Sequence, residues 1–197
     1  MKILIAEDDG LEAQEIERHA RSLGHQILGT ATTGRRAVEM TRTLNPDFIL
    51  MDIEMPGLDG ISAAREILSV RSIPIVLVTG HAEPEIVEQA AGAGIFSYLL
   101  KPVSQRNLDA AIQIAQARFG ELQILRKQVR DLTEALEIRK VVEQAKGILM
   151  KRLRVSEAEA FRRLQRRASS QRKSIRETAE NIRDADRFYR ELESEEA

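Results

Sequence analysis

Cysteine and tryptophan are both absent from this chain of 197 residues, and aromatic residues make up only 4% of it. Without cysteine there is no disulfide framework and no thiolate metal site. No apolar run approaches the roughly 20 residues that a membrane helix needs. The first residues, Met1–Ala6, form a short β-type run rather than a signal peptide. We therefore expect a cytoplasmic protein without a membrane partner.

Proline is also scarce, and none of the five prolines follows Pro102. Before that point, short β-type runs alternate with helical patterns, an order typical of βαβ units whose parallel sheet is covered on both faces. The β-type runs are Lys2–Ala6, Gln26–Thr30, Phe48–Met51, Ile75–Val78 and Ser97–Leu100. They predict an α/β, flavodoxin-like fold with a five-stranded parallel sheet of order 2-1-3-4-5.

After Asn107 the sequence carries only helical patterns. Apolar residues spaced three and four apart form a heptad seam typical of a coiled coil; they are Leu122, Leu125, Val129, Leu132 and Leu136. We expect one helix over residues 107–138. Its seam either joins two copies of the chain into a homodimer or packs against its own domain, and the heptad spacing favours the homodimer.

The remaining residues predict a bundle of three helices. The first begins at Arg139, the second opens at Ser156 with a capping-box pattern completed by Glu159, and the third begins near Ser174. We expect Phe161 and Phe188 in its thin core. The expected domains are residues 1–118, a helical coiled-coil linker at 119–138, the bundle at 139–190 and an acidic tail at 191–197.

The charge of −1 for the whole chain hides an uneven distribution. Residues 139–176 hold 13 Lys and Arg against 3 Asp and Glu, whereas residues 1–118 hold 11 against 16. A basic block in a near-neutral chain indicates an acidic partner, with nucleic acid the leading candidate. A solvated helix surface is the alternative.

Polar residues stand where four of the predicted strands end. These residues are Glu7, Asp8 and Asp9 after the first strand, Asp52 after the third, Thr79 after the fourth and Lys101 after the fifth. Ligands bind at this edge of an open α/β sheet. Carboxylates that meet there are tolerable around a divalent cation, and oxygen ligation suits Mg²⁺. An Asp carboxylate can attack a phosphoryl group, and Mg²⁺ and a lysine offset the developing charge.

These residues resemble the receiver domain of response regulators. The matching segments are Ile3–Asp9, Met51–Gly60, Val78–Gly80 and Tyr98–Pro102. Each motif alone is weak, but all four occur in order at strand ends, and the resemblance covers about residues 1–120. It implies a sensor histidine kinase as partner and a cis Lys101–Pro102 peptide bond.

The resemblance also implies a role for each matching residue. Asp52 would be the phosphoacceptor, with Thr79 and Lys101 contacting the phosphoryl group. Thr79 and Tyr98 would be the switch residues. The Mg²⁺ ligands would be Glu7, Asp8, Asp52 and the backbone carbonyl of Glu54. Asp9 is a lesser candidate.

The basic region resembles the ANTAR domain, an RNA-binding transcription antitermination module attached to many receivers. The resemblance covers about residues 139–183 and rests on Ala145–Met150, Glu159–Phe161 and the apolar positions that follow. Arg172 stands where Asn is frequent, and Ser174 where a basic residue is frequent. The partner it implies is an RNA hairpin in a leader transcript. Gly147, inside a predicted helix, costs about 1 kcal/mol against Ala, and we attribute it to close helix approach.

Basic residues on the first helix and its turn, on the outer face of the second helix and at the next turn are the candidate RNA contacts. They are Lys146, Lys151, Arg152, Arg154, Arg162, Arg163, Arg166, Arg167, Lys173 and Arg176. Arginines suit phosphates and can stack on unpaired bases. Two alternatives stay open: a basic output domain that binds DNA, and one that docks a partner protein. No second catalytic constellation follows residue 120, so we expect no enzymatic output.

Overall fold

The computed structural model describes residues 1–80, 95 and 97–195, with the side chains of 192–195 excepted. It divides into two compact units, Met1–Ile124 and Leu125–Ala197. No helix in this described part of the chain is both long and apolar enough to cross a bilayer.

The first unit contains the predicted parallel sheet. Its strands are β1 (Lys2–Ala6), β2 (Gln26–Ala31), β3 (Phe48–Asp52), β4 (Ile75–Thr79) and β5 (Ser97–Leu100). Their order is β2-β1-β3-β4-β5, and every neighbouring pair is parallel. The sequence prediction of the fold is confirmed, and each observed strand starts at the predicted residue.

Helices cover both faces of this sheet. They are α1 (Gly10–Ser22), α2 (Gly34–Leu44), α3 (Gly60–Val70) and the N-terminal part of α4 (Gln105–Leu153). Side chains alternate along each strand, so Leu4 and Ala6 pack with α2 and α3, while Ile3 and Ile5 pack with α1 and α4. The sheet is therefore buried on both sides, and its polar residues are confined to the strand ends.

Two glycines let the segment after β3 lie close to the rest of the unit. A Cβ added at Gly60 would lie 1.9 Å from the carbonyl oxygen of Asp52, and one at Gly34 would lie 2.1 Å from that of Leu58. Both neighbours are backbone atoms that a side chain would have to displace. The position of Asp52 thus depends on Gly34 and Gly60, whose importance cannot be recognised from sequence spacing alone.

The second unit is a three-helix arrangement of the C-terminal part of α4, α5 (Glu157–Gln171) and α6 (Ile175–Glu195). Residues 107–138 and the first bundle helix, expected as consecutive segments, form one continuous helix. Ser156 caps α5 by accepting a hydrogen bond from the backbone N–H of Glu159, as predicted. The core of this unit contains Val141, Val142, Ala145, Leu164 and Ala179.

Two aromatic residues expected in this core lie elsewhere. Phe161 is 36% exposed and Phe188 is 59% exposed. Leu164 and the small residues Ala160 and Ala168 fill the inner face of α5 instead. The prediction that both phenylalanines are buried was wrong: Phe161 lies off the buried face of α5, with its ring 5.9 Å from Nζ of Lys146.

Candidate functional site

The predicted acidic pocket forms at the carboxyl edge of the sheet. Oxygen atoms of Glu7, Asp8 and Asp52 all lie within 4.8 Å of one another. Glu7 is 1% exposed and Asp52 3% exposed, while Asp8 is open to solvent. One open and two enclosed carboxylates are a donor set that suits a hard divalent cation.

Lys101 joins this pocket from the end of β5. Its Nζ lies 3.3 Å from Oδ2 of Asp52 and 3.0 Å from Oε2 of Glu7. Its backbone N–H donates to the carbonyl oxygen of Thr79, and the Lys101–Pro102 bond is cis, as predicted. The loop after β5 therefore brings a cation to the phosphoacceptor candidate.

The protonation of the pocket reflects its burial. Burial, opposed by the hydrogen bond from Lys101, raises the pKa of Glu7 from 4.5 to about 7, and the negative charge of Asp52 adds to the rise. Burial also raises the pKa of Asp52, against the charge of Lys101. Burial would lower the pKa of Lys101, but its hydrogen bonds to Glu12 and Glu7 raise it overall. Burial thus disfavours the ionised forms of both Glu7 and Asp52.

Oε2 of Glu7 is buried, and although Nζ of Lys101 lies 3.0 Å away, it accepts no hydrogen bond of favourable geometry. Such an oxygen, beside two other carboxylates, fits a metal-bound water or a metal ion. The residues present therefore fit Mg²⁺. Glu54, whose carbonyl the resemblance to receiver domains assigns to the metal, follows β3 two residues after Asp52 and has an exposed side chain.

The remaining predicted residues of this unit lie as follows. Thr79 is buried at the end of β4, and Tyr98 on β5 is 44% exposed. Asp9 serves as the N-cap of α1 and accepts hydrogen bonds from Leu11 and Glu12, which lower its pKa. Its carboxylate is committed to the helix rather than to the acidic cluster.

Sequence reasoning missed Glu12, which forms an ion pair with Nζ of Lys101. Glu12 lies in the first turn of α1, one helical turn after Asp8. That spacing was the available signal, because a first-turn residue of α1 starts at the same sheet edge as the pocket. Lys101 therefore contacts three carboxylates, those of Glu7, Glu12 and Asp52.

In the second unit, the basic side chains differ in their exposure to solvent and in their ion pairs. Lys146 is 8% exposed; its Nζ lies 2.6 Å from Glu157 and 2.8 Å from Glu143, and 5.9 Å from the centre of the Phe161 ring. The structure thus places this predicted RNA contact inside an ion-pair cluster. Arg152 donates to the buried carboxylate of Asp186 at 2.6 Å.

The other predicted contacts lie at the surface. Arg162 and Arg163 pair with Glu159 on their own helix, and Lys173 and Arg176 pair with Glu177 and Glu180. Further exposed members of the set are Lys151, Arg154, Arg166 and Arg167. Ser174, which replaces a frequent basic residue, caps the start of α6 by accepting from the N–H of Glu177.

Four of the five residues of the predicted seam on α4 are exposed within the described chain, while Leu122 is partly buried. Leu125, Val129, Leu132 and Leu136 are between 56% and 66% exposed. A row of four such side chains at heptad spacing leaves a continuous apolar strip in contact with water.

Comparison with known proteins identifies both units. A family model of the response regulator receiver domain matches residues 3–113, and a model of the ANTAR domain matches residues 130–182. The chain therefore belongs to the response regulators, with a receiver domain followed by an ANTAR domain, the RNA-binding antitermination module.

One relative spans nearly the whole chain. The transcriptional regulatory protein PdtaR of Mycobacterium tuberculosis is 41% identical over 181 residues, which cover 92% of this chain and 88% of that protein. Regulatory protein AtoC of Escherichia coli is 37% identical over 107 residues, covering 54% of this chain and 22% of AtoC. The signal receiver domain of a modulated diguanylate cyclase from Desulfovibrio desulfuricans superimposes with a TM-score of 0.56 at 32% identity, over 60% of this chain and 95% of that domain.

Proposed function

We propose that this protein is a phosphorylation-controlled regulator that dimerises and binds RNA hairpins to cause transcription antitermination. The observation that carries the proposal is the convergence of Glu7, Asp8, Asp52 and Lys101 at one sheet edge in a chain that also has an ANTAR domain. The output is binding rather than catalysis, and the phosphoryl donor is a sensor histidine kinase.

The chemistry follows from the pocket. An oxygen of Asp52 attacks the phosphorus of a phosphohistidine, a P–O bond forms and the P–N bond breaks, and the departing imidazole takes up a proton. Mg²⁺, held by Glu7, Asp8, Asp52 and the carbonyl of Glu54, would supply positive charge at the phosphoryl oxygens. Lys101 offers its ammonium group to the same oxygens, and Thr79 and Tyr98 respond to the new phosphoryl group as the switch.

The open seam supports dimerisation as the response. Burying Leu125, Val129, Leu132 and Leu136 against a second copy removes their exposed surface from water. Phosphorylation acts by shifting a monomer–dimer equilibrium. A dimer carries two bundles, so binding one hairpin raises the effective concentration of the second bundle at a neighbouring hairpin.

The surface of the bundle supports RNA as the ligand. Arginines on the outer face of α5 are suited to contact phosphate oxygens. Sequence specificity would come from the unpaired loop bases, because side chains cannot read bases in the deep major groove of A-form RNA. DNA binding and docking of a partner protein are the competing outputs. A bound hairpin would no longer take part in a transcription terminator.

The test is a titration of the phosphorylated full chain with paired hairpin RNA and with duplex DNA of equal charge, at two salt concentrations. We expect tighter RNA binding that weakens steeply with salt. Replacing Arg163 and Arg167 together by Ala is expected to weaken it without unfolding the bundle. The control replaces Arg18 and Arg21, two exposed arginines of the receiver domain, by Ala. Equal affinity for both nucleic acids, or no response to the bundle double variant, would instead favour protein docking.

A further inference from the structure

A groove of about 950 Å³ lies between the C-terminal part of α4 and the second half of α6, entirely within the second unit. Five of its lining residues are cations, namely Lys151, Arg152, Arg183, Arg187 and Arg190. Only Asp186 and Glu191 are acidic, which leaves its described lining with a net charge of +3. Arg187 pairs with Glu191, and Arg183 pairs with Asp184, which does not line the groove. The excess of cations in the lining still favours an anionic ligand.

Gly147 lies on the α4 side of this groove. A Cβ added there would meet nothing within 4 Å, and the residue is exposed. The sequence-based explanation, a close approach of two helices, was therefore wrong. A glycine in a helix interior is less favourable than alanine, and no neighbour within the described chain requires it. A bare backbone at this position instead leaves room for something outside the chain.

The arginines on the other side lie beyond the residues that the ANTAR model matches. The ANTAR match ends at residue 182, whereas Arg183, Arg187 and Arg190 lie on the continuation of α6. This continuation is fixed to α4 through Asp186, which is 6% exposed and accepts a hydrogen bond from Nε of Arg152 at 2.6 Å. On α6 itself, Asp186 also forms an ion pair with Nε of Arg190 at 2.8 Å. The Arg152 guanidinium also packs 5.5 Å from the centre of the Tyr189 ring. The α6 side of the groove, which we call its wall and which carries Arg183, Arg187 and Arg190, is thus held in place before any ligand binds.

We propose that this groove binds an unpaired stretch of the RNA, with phosphates at its arginines and a nucleotide lying close to the backbone at Gly147. The inference rests on the proposed RNA-binding function and assigns it a second contact surface, which adds Gly147, Arg183, Arg187 and Arg190 to the sequence-predicted set. RNA is favoured over an acidic peptide because Lys151 and Arg152 belong both to the groove and to the candidate RNA surface. Planar guanidinium groups also stack on unpaired bases.

The test compares Gly147→Ala with Gly120→Ala. Both glycines are interior to α4 and neither Cβ would meet an atom within 4 Å, but Gly120 belongs to the first unit and does not line the groove. We expect each change to raise the melting temperature by roughly 2–4 °C. Only Gly147→Ala is expected to weaken RNA binding, by roughly tenfold, because its methyl group occupies the groove. The probes are paired stem-loops selected from a randomised-loop pool by the unaltered full chain.

A second pair of variants tests the charge of the wall. Arg187→Gln, at a side chain that is 80% exposed, is expected to weaken binding and reduce its salt dependence, whereas Arg18→Gln in the receiver domain is expected to do neither. Unchanged RNA binding by Gly147→Ala, or a lower melting temperature in that variant, would overturn the groove assignment while leaving the proposed function intact. A charge-matched acidic peptide that displaces the RNA from unaltered protein but not from Arg187→Gln would reassign the groove to a protein partner. Failure of the selection to yield any hairpin that binds better than duplex DNA would instead remove the proposed function and this inference together.

Discussion

The receiver domain and the ANTAR domain place their charged groups in opposite environments. In the receiver, Glu7 and Asp52 are enclosed at the edge of a sheet that is buried on both faces, and burial raises the pKa of both. In the second unit, Glu157 lies at the surface beside Lys146, and the two enclosed groups, Lys146 and Asp186, each have a partner of opposite charge. A hydrogen bond from Arg163 lowers the pKa of Glu159, and one from Lys146 lowers that of Glu157.

This difference in burial indicates how strongly each domain responds to the substitution of a single charged residue. A buried site depends on a few groups that nothing else can replace, because each loses water and gains a specific partner. A charged surface divides its effect among many groups, each screened by solvent and salt. We therefore expect all-or-none effects at the receiver pocket and graded effects on the bundle surface.

The largest expected effect is at Asp52. Asp52→Asn is expected to abolish labelling by a small phosphodonor in the presence of Mg²⁺, since the amide is not a nucleophile for the phosphoryl group. Phosphate incorporation followed by intact-protein mass spectrometry measures it. Asp109→Asn, at another carboxylate of the same domain, is the control and should be labelled normally. Labelling that survives Asp52→Asn would mean that the nucleophile lies elsewhere.

The next largest effect is expected on association. Leu132→Asp places a charge on the seam, where Leu132 is 65% exposed in the single chain, and is expected to convert a phosphorylated dimer to monomer. Sedimentation velocity gives the mass. Lys127→Gln makes the same change in charge at a heptad position away from the seam and should leave the dimer intact. An unchanged mass for Leu132→Asp would assign the seam to packing within the chain.

Truncating a core side chain in each domain is expected to show that the bundle is less stable than the receiver domain. Leu164→Ala removes the largest side chain of the five-residue bundle core and is expected to cost about 3 kcal/mol. Leu50→Ala, at a fully buried site in the receiver sheet, is the matched change. Calorimetry should show that each change lowers its own transition, and the bundle, with the thinner core, should lose its folded state first. A bundle transition that Leu164→Ala does not move would show that the core assigned here is not what stabilises it.

The smallest expected effect is a pH dependence of the receiver. The pKa of Glu7 is 4.5 ordinarily and about 7 when folded. Its contribution to stability is thus fully present below the unfolded value and is lost as pH rises through about 7. Without Mg²⁺ the free energy of unfolding should fall across that interval, with a slope of at most about 1.4 kcal/mol per pH unit. Denaturant titrations across the range measure it. Glu7→Gln should flatten the slope, and an unchanged slope would assign the titration to another group.

Much of the receiver site could be read from the sequence because strand ends converge at one edge of a parallel sheet. Asp52, Lys101 and Glu7 were predicted in this way and do meet. Glu12 was missed although its place in the first turn of α1 put it near the pocket, because its ion pair with Lys101 is a tertiary contact that local spacing does not specify. The need for glycine at positions 34 and 60 depends likewise on backbone approach between distant segments.

For the bundle, the positions of the helices could be predicted from the sequence better than the exposure of its surface side chains. Helical spacing and the Ser156 cap follow from local chemistry and were anticipated. Whether a basic residue faces solvent depends on tertiary partners, as Lys146 shows by lying between Glu143 and Glu157. The role assigned to Gly147 failed for the same reason, since helical periodicity does not show which neighbours come close.

The uninterrupted helix α4 determines how the protein can be dissected. No loop separates the two domains, so any fragment of the bundle must begin inside a helix and expose backbone N–H groups that had partners. Residues 131–134 offer a natural starting point, because Asp131 can become an N-cap residue with Glu134 at the third helical position, and Glu134 also contacts Arg176 of α6. A fragment that starts at Arg139 has no such residue and would fray into Val141 and Val142, two of the five residues in the bundle core. The choice of first residue therefore decides whether the excised bundle retains its own fold.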